Sequence, residues 1–248
     1  MPVTSDINRN KPTLSIITAT YNAASVLPRL IESLRLQTDQ DFEWVVADGA
    51  SSDNTLELLA QVKDLNLAVD SRPDFGIYDA LNRAVTMASG KYYLVLGADD
   101  RLFPEAVAAF RSAVDDSDVD IITAKVFADG IVHSVRRAWP WLYGQFAYVS
   151  SHAVGTAIRK GLHEKFGLYS HRFPMAADQF FLKKVGDSGA NIVKADFVAG
   201  EFSTEGTSGN DILGALTECF RVQLATGEYR FFQLVIFLAR LFKNYRRL

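Results

Sequence analysis

Apolar residues along this chain follow two alternating rhythms. Leu14–Thr20 (LSIITAT) is a continuous β-branched and apolar run, the pattern of a central strand. It ends at Tyr21 and Asn22. From there Leu27, Leu30, Ile31 and Leu34 recur at i, i+3, i+4, i+7, the stripe of a helix packed on a sheet, with Ser25 as its N-cap and a stop near Gln37. The alternation then repeats. A strand over 42–47 runs into a small polar loop from Asp48 to Asp53, and a helix follows over 54–62. A short strand over 67–69 leads through the turn-rich SRPDFG loop to helical spacing over 77–88, with Gly90 as a fitting C′ residue. Next comes KYYLVLGADD, whose apolar run Tyr92 to Leu96 reads as a buried strand ending at two adjacent carboxylates, Asp99 and Asp100.

Strands alternating with helices predict right-handed parallel crossovers and a sheet covered on both faces, with ligands beyond the carboxyl ends of the strands. Every polar loop so far lies at such an end. Beyond Asp100 the pattern is less regular. A helix is expected over 104–114, strands over 121–127, 131–135 and 192–198, and a strand returning to the core within 150–158. The segment 173–185 places Asp178 at the start of a helix. Asp211 can cap a helix that runs through Ala225 and ends at Gly227. The final stretch, FFQLVIFLARLF, is too short to span a bilayer as a helix, which needs about 20 residues. Gln233, Arg240, Asn244 and Arg247 give it one narrow polar stripe beside a wide apolar face. That leaves three settings: docked on the body, packed in a homodimer, or laid in a membrane interface.

Composition narrows the picture. A chain of 248 residues with 48% hydrophobic residues can bury a sizeable core. A formal charge of -3 gives no basic excess to draw it onto nucleic acid. The single cysteine excludes a disulfide framework and a multi-cysteine zinc site, and suits a reducing compartment. The leader MPVTSDINRNKPT lacks the apolar core of a signal peptide, so the expected location is the cytoplasm, extending to the inner face of the plasma membrane.

Several side chains at the predicted strand ends have chemistry to offer. Asp99 and Asp100 repel each other and lose hydration at the exit of a buried strand, so a divalent cation is a natural counter-charge; a solvated turn is the plainer alternative. Tyr21 offers an aromatic face to a nucleobase, or fills half-buried space. Asp48 can accept from an imide N–H or a ribose hydroxyl, or simply shape a turn before Gly49. Arg72 suits phosphate. Gly76 lets backbone approach a ligand, and Asp79 and Asn82, three apart, can face it together or simply put favourable charge at a helix N-terminus.

Taken in order, LSIITATYN, ADGASSDNT, DFGIYDALN and LGADD resemble the nucleotide-sugar motifs of family 2 glycosyltransferases of GT-A fold, and Ser151, His152 and AADQ (176–179) continue the likeness. The resemblance implies an α/β, Rossmann-like, mostly parallel sheet with helices on both faces. It would fill residues 1–210, split into a nucleotide-sugar half (1–100) and an acceptor half (101–210), with a helical extension over 211–248. It implies that Thr20, Tyr21, Asn22, Asp48, Arg72, Asp74, Gly76, Asp79, Asn82 and Asp99 bind the nucleotide sugar. Asp100 would hold Mg2+ or Mn2+, Asp178 would be the catalytic base, and His152 would line the acceptor pocket. The family's metal motif usually carries a further carboxylate where this chain has Gly97, and Glu205 and Gly206 stand where paired glycines are frequent.

The activity so implied is inverting, metal-dependent transfer of a sugar from a nucleoside diphosphate sugar, UDP type favoured, to a saccharide or lipid-linked acceptor hydroxyl, in surface polysaccharide or glycolipid synthesis. Two rivals stand beside it: a catalytically silent nucleotide-sugar binding or scaffold protein, and a nucleotidyltransferase. The second would want a glycine-rich, basic first loop, which TATYNAAS does not supply.

Overall fold

In a computed structural model of the chain, residues 12–114, 118–135, 139–150, 153–203 and 211–246 are described. The first hundred residues follow the predicted alternation closely: β1 Leu14–Thr20, α1 Leu27–Arg35, β2 Phe42–Asp48, α2 Thr55–Gln61, β3 Leu67–Ser71, α3 Ile77–Met87 and β4 Tyr92–Val95. β1 pairs in parallel with β2 and β4, and β2 with β3. This half is the parallel wound sheet that the repeated strand, loop and helix require. Along β1, Leu14 and Ile16 enter the hydrophobic cluster under α1, while Ile17 enters the other cluster, under α3, as a strand buried on both faces must.

The second half completes the sheet with mixed pairings. It contributes β5 Arg101–Leu102, α4 Ala106–Val114, β6 Ile121–Ala128, β7 Ile131–His133, α5 Pro140–Tyr143, β8 Thr156–Arg159, α6 Leu162–Phe166, α7 Ala177–Asp187 and β9 Ile192–Glu201. β8 runs antiparallel to both β4 and β6, and β9 lies parallel to β6. Among the described residues the strands run β3-β2-β1-β4-β8-β6-β9-β5, with β7 on the flank of β6. Two final helices, α8 Ile212–Ala225 and α9 Arg230–Asn244, close the chain.

Several local expectations are corrected. Val26, not Ser25, is the N-cap of α1. α4 begins at Ala106, after a turn that holds Pro104. The returning strand shortens to Thr156–Arg159. Gly90 is not a C′ residue, because α3 already ends at Ala88 in extended backbone. Its reason to be glycine is close approach: a Cβ there would meet Ser15 Oγ at 2.5 Å and the Ser15 amide nitrogen at 2.9 Å. The α8 cap is as expected, with Asp211 Oδ1 accepting from the Gly214 amide at 2.7 Å and Gly227 adopting φ 91° beyond the helix.

Candidate active site

Three strands bring their last residues into one row. The parallel register aligns Thr20 with Asp48 and Asp48 with Ser71. Asp48 is fully buried there. Its Oδ1 accepts from the Thr20 hydroxyl at 2.8 Å and the Ser51 hydroxyl at 2.5 Å, and its Oδ2 from the Ser51 amide at 2.9 Å and the Ser71 hydroxyl at 2.8 Å. Burial pushes this carboxyl up, but the bonds from Ser51, Ser71 and Thr20 outweigh it and hold the group below the usual aspartate value. Four bonds fill the carboxylate's acceptor sites. A base or ribose would therefore meet Asp48 only by displacing a hydroxyl.

The loops above this row are laced together. Asn22 has positive φ (49°), its amide donates to Ser51 Oγ at 2.8 Å, and its side-chain oxygen accepts from the Ser52 amide at 2.8 Å. Ala50, in the facing loop, also has positive φ (62°), a strained choice for a residue with a Cβ. Tyr21 is 68% exposed, with its ring beside Gly49. A Cβ on Gly49 would come within 2.7 Å of Asp74 Oδ2, so the glycine admits that carboxylate. Gly76 has φ 115°, which places it at the head of α3 in backbone that side chains rarely adopt.

Arg83, which the motif reading passes over, organises the floor of this region. Its guanidinium donates to Asp70 at 2.6 Å and to the Asp48 and Arg72 carbonyls at 3.1 and 3.3 Å, and it reaches Asp74 at 3.4 Å. Arg72 is largely exposed and paired with Asp70 at 3.1 Å. Asp79 accepts from the Phe75 amide at 3.4 Å. Asn82 does not face a ligand with it. Its amide donates to the Tyr169 carbonyl and accepts from the Tyr169 amide, both at 2.9 Å, because position 82 lies on the buried side of α3.

Beyond β4, Asp99 and Asp100 fold back over Gly97. A Cβ on Gly97 would lie 2.8 Å from Asp99 Oδ1 and 3.0 Å from Asp100 Oδ2, so these carboxylates crowd the space that a side chain there would need. Asp100 is 2% exposed and, among the described residues, accepts one bond on each oxygen, from the Gly97 amide at 2.7 Å and the Ser203 amide at 3.0 Å. Burial pushes its carboxyl up to about 7 against the pull of those amides, and Asp99 adds to the rise. A divalent cation would remove that penalty, and among the described residues each oxygen accepts a single bond and so has a lone pair to offer one. Among the described residues no three His, Cys, Asp or Glu side chains group as a metal cage. The arrangement fits a cation held by one or two carboxylates and completed by substrate phosphates.

Asp178 sits in the first turn of α7, as expected. The Tyr78 hydroxyl, from the first turn of α3, donates to its Oδ1 at 2.6 Å and lies 3.1 Å from the Met175 carbonyl. Burial raises the Asp178 carboxyl above the usual value, opposed by Tyr78 and the Gln179 amide. The Met175 amide is held in turn by Glu218 of α8 at 2.9 Å. Tyr78 is thus a second residue missing from the motif reading; only its place one residue before Asp79 hinted at it. His152 and residues 204–210, which include Thr207 and Ser208, lie outside the described residues.

A model of glycosyl transferase family 2 matches residues 15–159. A PGL/p-HBAD biosynthesis glycosyltransferase of Mycobacterium bovis is 34% identical over 180 residues, covering 68% of each chain. Among solved structures, S. aureus TarS 1-349 in complex with UDP-GlcNAc superposes with a TM-score of 0.69 at 22% identity, over 93% of this chain and 73% of that one. A mannosyltransferase from Pyrobaculum calidifontis in complex with GDP-Man and Mn2+ superposes at 0.64 with 17% identity, over 96% of this chain and 76% of that one. The GT-A arrangement expected from the sequence is the one these structures share.

Proposed function

We propose, on the premise that this chain belongs to glycosyl transferase family 2 and is a glycosyltransferase, that it moves a sugar from a nucleoside diphosphate sugar to an acceptor hydroxyl by one inverting displacement. The observation that carries this reading is the setting of Asp178. A carboxylate raised by burial is a stronger base than a solvated one, and the Tyr78 hydroxyl and the Gln179 amide fix its aim at the head of α7. In the step, the acceptor O–H proton passes to Asp178 and the acceptor oxygen bonds to the anomeric carbon. The bond from that carbon to the diphosphate breaks, and its electron pair leaves with the nucleoside diphosphate.

Tyr21 would stack on the base. The Asp48 row would meet the nucleoside through the Ser51 or Ser71 hydroxyl, and Thr20 and Asn22 would keep its loops in place. Arg72, Asp74, Gly76 and Asp79 would border the donor, with Asp99 on the ribose or sugar. Asn82 leaves this set. Asp100, with Asp99 beside it, would hold Mg2+ or Mn2+, which when bound supplies charge neutralisation to the departing diphosphate. A UDP-type donor is in keeping with the UDP-GlcNAc of the TarS complex.

For the acceptor, a saccharide or lipid-linked glycan in surface polysaccharide or glycolipid synthesis is in keeping with the PGL/p-HBAD biosynthesis relative, and a cavity of about 260 Å³ whose lining includes Gln179, Cys219 and Arg240 offers it room. It runs from the residue after Asp178 to the last helix. The deciding measurement is the anomeric configuration of the product. Inversion is expected, and retention would overturn the mechanism.

A further inference from the structure

α9 is mounted with its polar stripe inward. Gln233, only 2% exposed, donates to the Trp141 carbonyl at 2.6 Å, and Arg240 donates to the Leu142 carbonyl at 2.6 Å. Between them Phe237 stacks on Phe220 of α8 at 5.0 Å. These contacts pin the helix and decide which side faces out. The outward side carries Phe231, Phe232, Leu234, Val235, Leu238 and Phe242, all exposed. Trp141, whose carbonyl receives the helix, and Trp139 beside it are also exposed. A soluble surface rarely leaves so continuous an apolar strip open to water.

Charge identifies what covers it. The last 20 residues contain five basic and no acidic side chains, a charge of +5, whereas the 228 before them carry -8. Arg230, Lys243 and Arg246 are exposed at the two ends of the strip. Pairing the strip with a second copy would set Arg230 against Lys243 and Arg246 of the other copy if antiparallel, or each basic residue against its own copy if parallel, a like-charge contact either way. An anionic lipid surface offers an apolar layer below and negative head groups at the rim, with tyrosine and tryptophan at the boundary depth. We infer that the outer face of α9 docks this protein on an anionic bilayer, with the helix lying in the interface plane. Among the described residues no helix is long and apolar enough to cross a membrane.

The test needs no substrate, so it is independent of the glycosyl-transfer reading. The full chain is sedimented with vesicles of phosphatidylglycerol and phosphatidylcholine, and with phosphatidylcholine alone. Binding should be strong to the first, weak to the second, and reduced by salt. Lys243→Gln and Arg246→Gln should each lower partitioning about fivefold. Leu234→Asp with Leu238→Asp should abolish it, and an unchanged melting temperature would show that the exposed positions were altered without unfolding. Equal binding to both vesicle types, or wild-type binding by the double Asp variant, overturns the proposal. So does a concentration-dependent dimer that this variant dissolves in the absence of any vesicle binding.

Discussion

Asp48 ends β2 and Asp100 lies past the end of β4, the strands on either side of β1, and both are withdrawn from water. They are built oppositely. Among the described residues Asp48 receives four bonds from protein donors and is held below the ordinary aspartate value, whereas Asp100 receives two and is pushed up to about 7. Glu43, at the other end of β2 and away from the loops of the site, shows what the first construction means. It too accepts four bonds, from Ser15, from the amide and hydroxyl of Ser89, and from the Gly90 amide, and it too is held low despite burial. Saturation marks a carboxylate that ties the sheet together, and spare acceptor capacity marks one that a ligand can still use. By that criterion we expect Asp100 and Asp178 to take part in the chemistry and Asp48 to hold the loops from which Ser51 and Ser71 would meet the nucleoside.

The largest test of this division is Asp178→Asn. It keeps the shape and removes the proton acceptor, so turnover with saturating donor should fall about 10²- to 10⁴-fold while donor affinity changes little. Its folding signature has the opposite sign. A carboxyl raised by the fold becomes destabilising as pH climbs past the ordinary unfolded aspartate value, so the Asn variant should melt no lower than wild type near neutrality. For the same reason wild-type turnover should drop on acidification at a pH above the ordinary aspartate range, as the charged base is lost.

Asp48→Ala should do the reverse. It leaves the Thr20, Ser51 and Ser71 donors without their acceptor and should cost about 2–5 kcal/mol of stability in a denaturant melt. The carboxyl is held low by the fold, so its stabilisation is present above the unfolded aspartate pKa and is lost as pH falls through the lower folded value. Equal stability of Asp48→Ala and wild type would break the comparison. Tyr21→Ala touches neither network and should weaken nucleoside diphosphate binding by about 1–3 kcal/mol in calorimetry, with the fold intact. The smallest effect is expected for Tyr78→Phe. Losing a donor to Asp178 should move the acid limb of the rate profile to higher pH, with KM for the donor little changed.

Hydrophobic period sufficed to find β1, α1, β2, α3 and β4, because each is strongly patterned and buried on the side its pattern indicates. It missed β5, two residues that are a strand only because β9 pairs with them. The carboxylates at strand ends were legible from their place after apolar runs. Their partners were not. Spacing set Asn82 near Asp79 on α3 but gave no sign that Tyr169 would claim its amide, and nothing local links Tyr78 to a residue 100 positions later. In α9 the polar stripe was visible, but which side would face the body depended on the carbonyls left free by the Trp141 and Leu142 turn.

Lys183 of α7 is wholly withdrawn from solvent, and its ammonium bridges Asp187 at 2.7 Å and Glu228, just after α8, at 2.8 Å. That clamp fixes the roll of α7 about its own axis, and Asp178 rides on the same helix. The consequence is one of portability. Grafting the C-terminal helices of a relative onto this chain to change its acceptor would leave a dry ammonium with one partner unless the graft supplied a carboxylate at position 228. The loss would then be felt at Asp178 as a misaimed side chain.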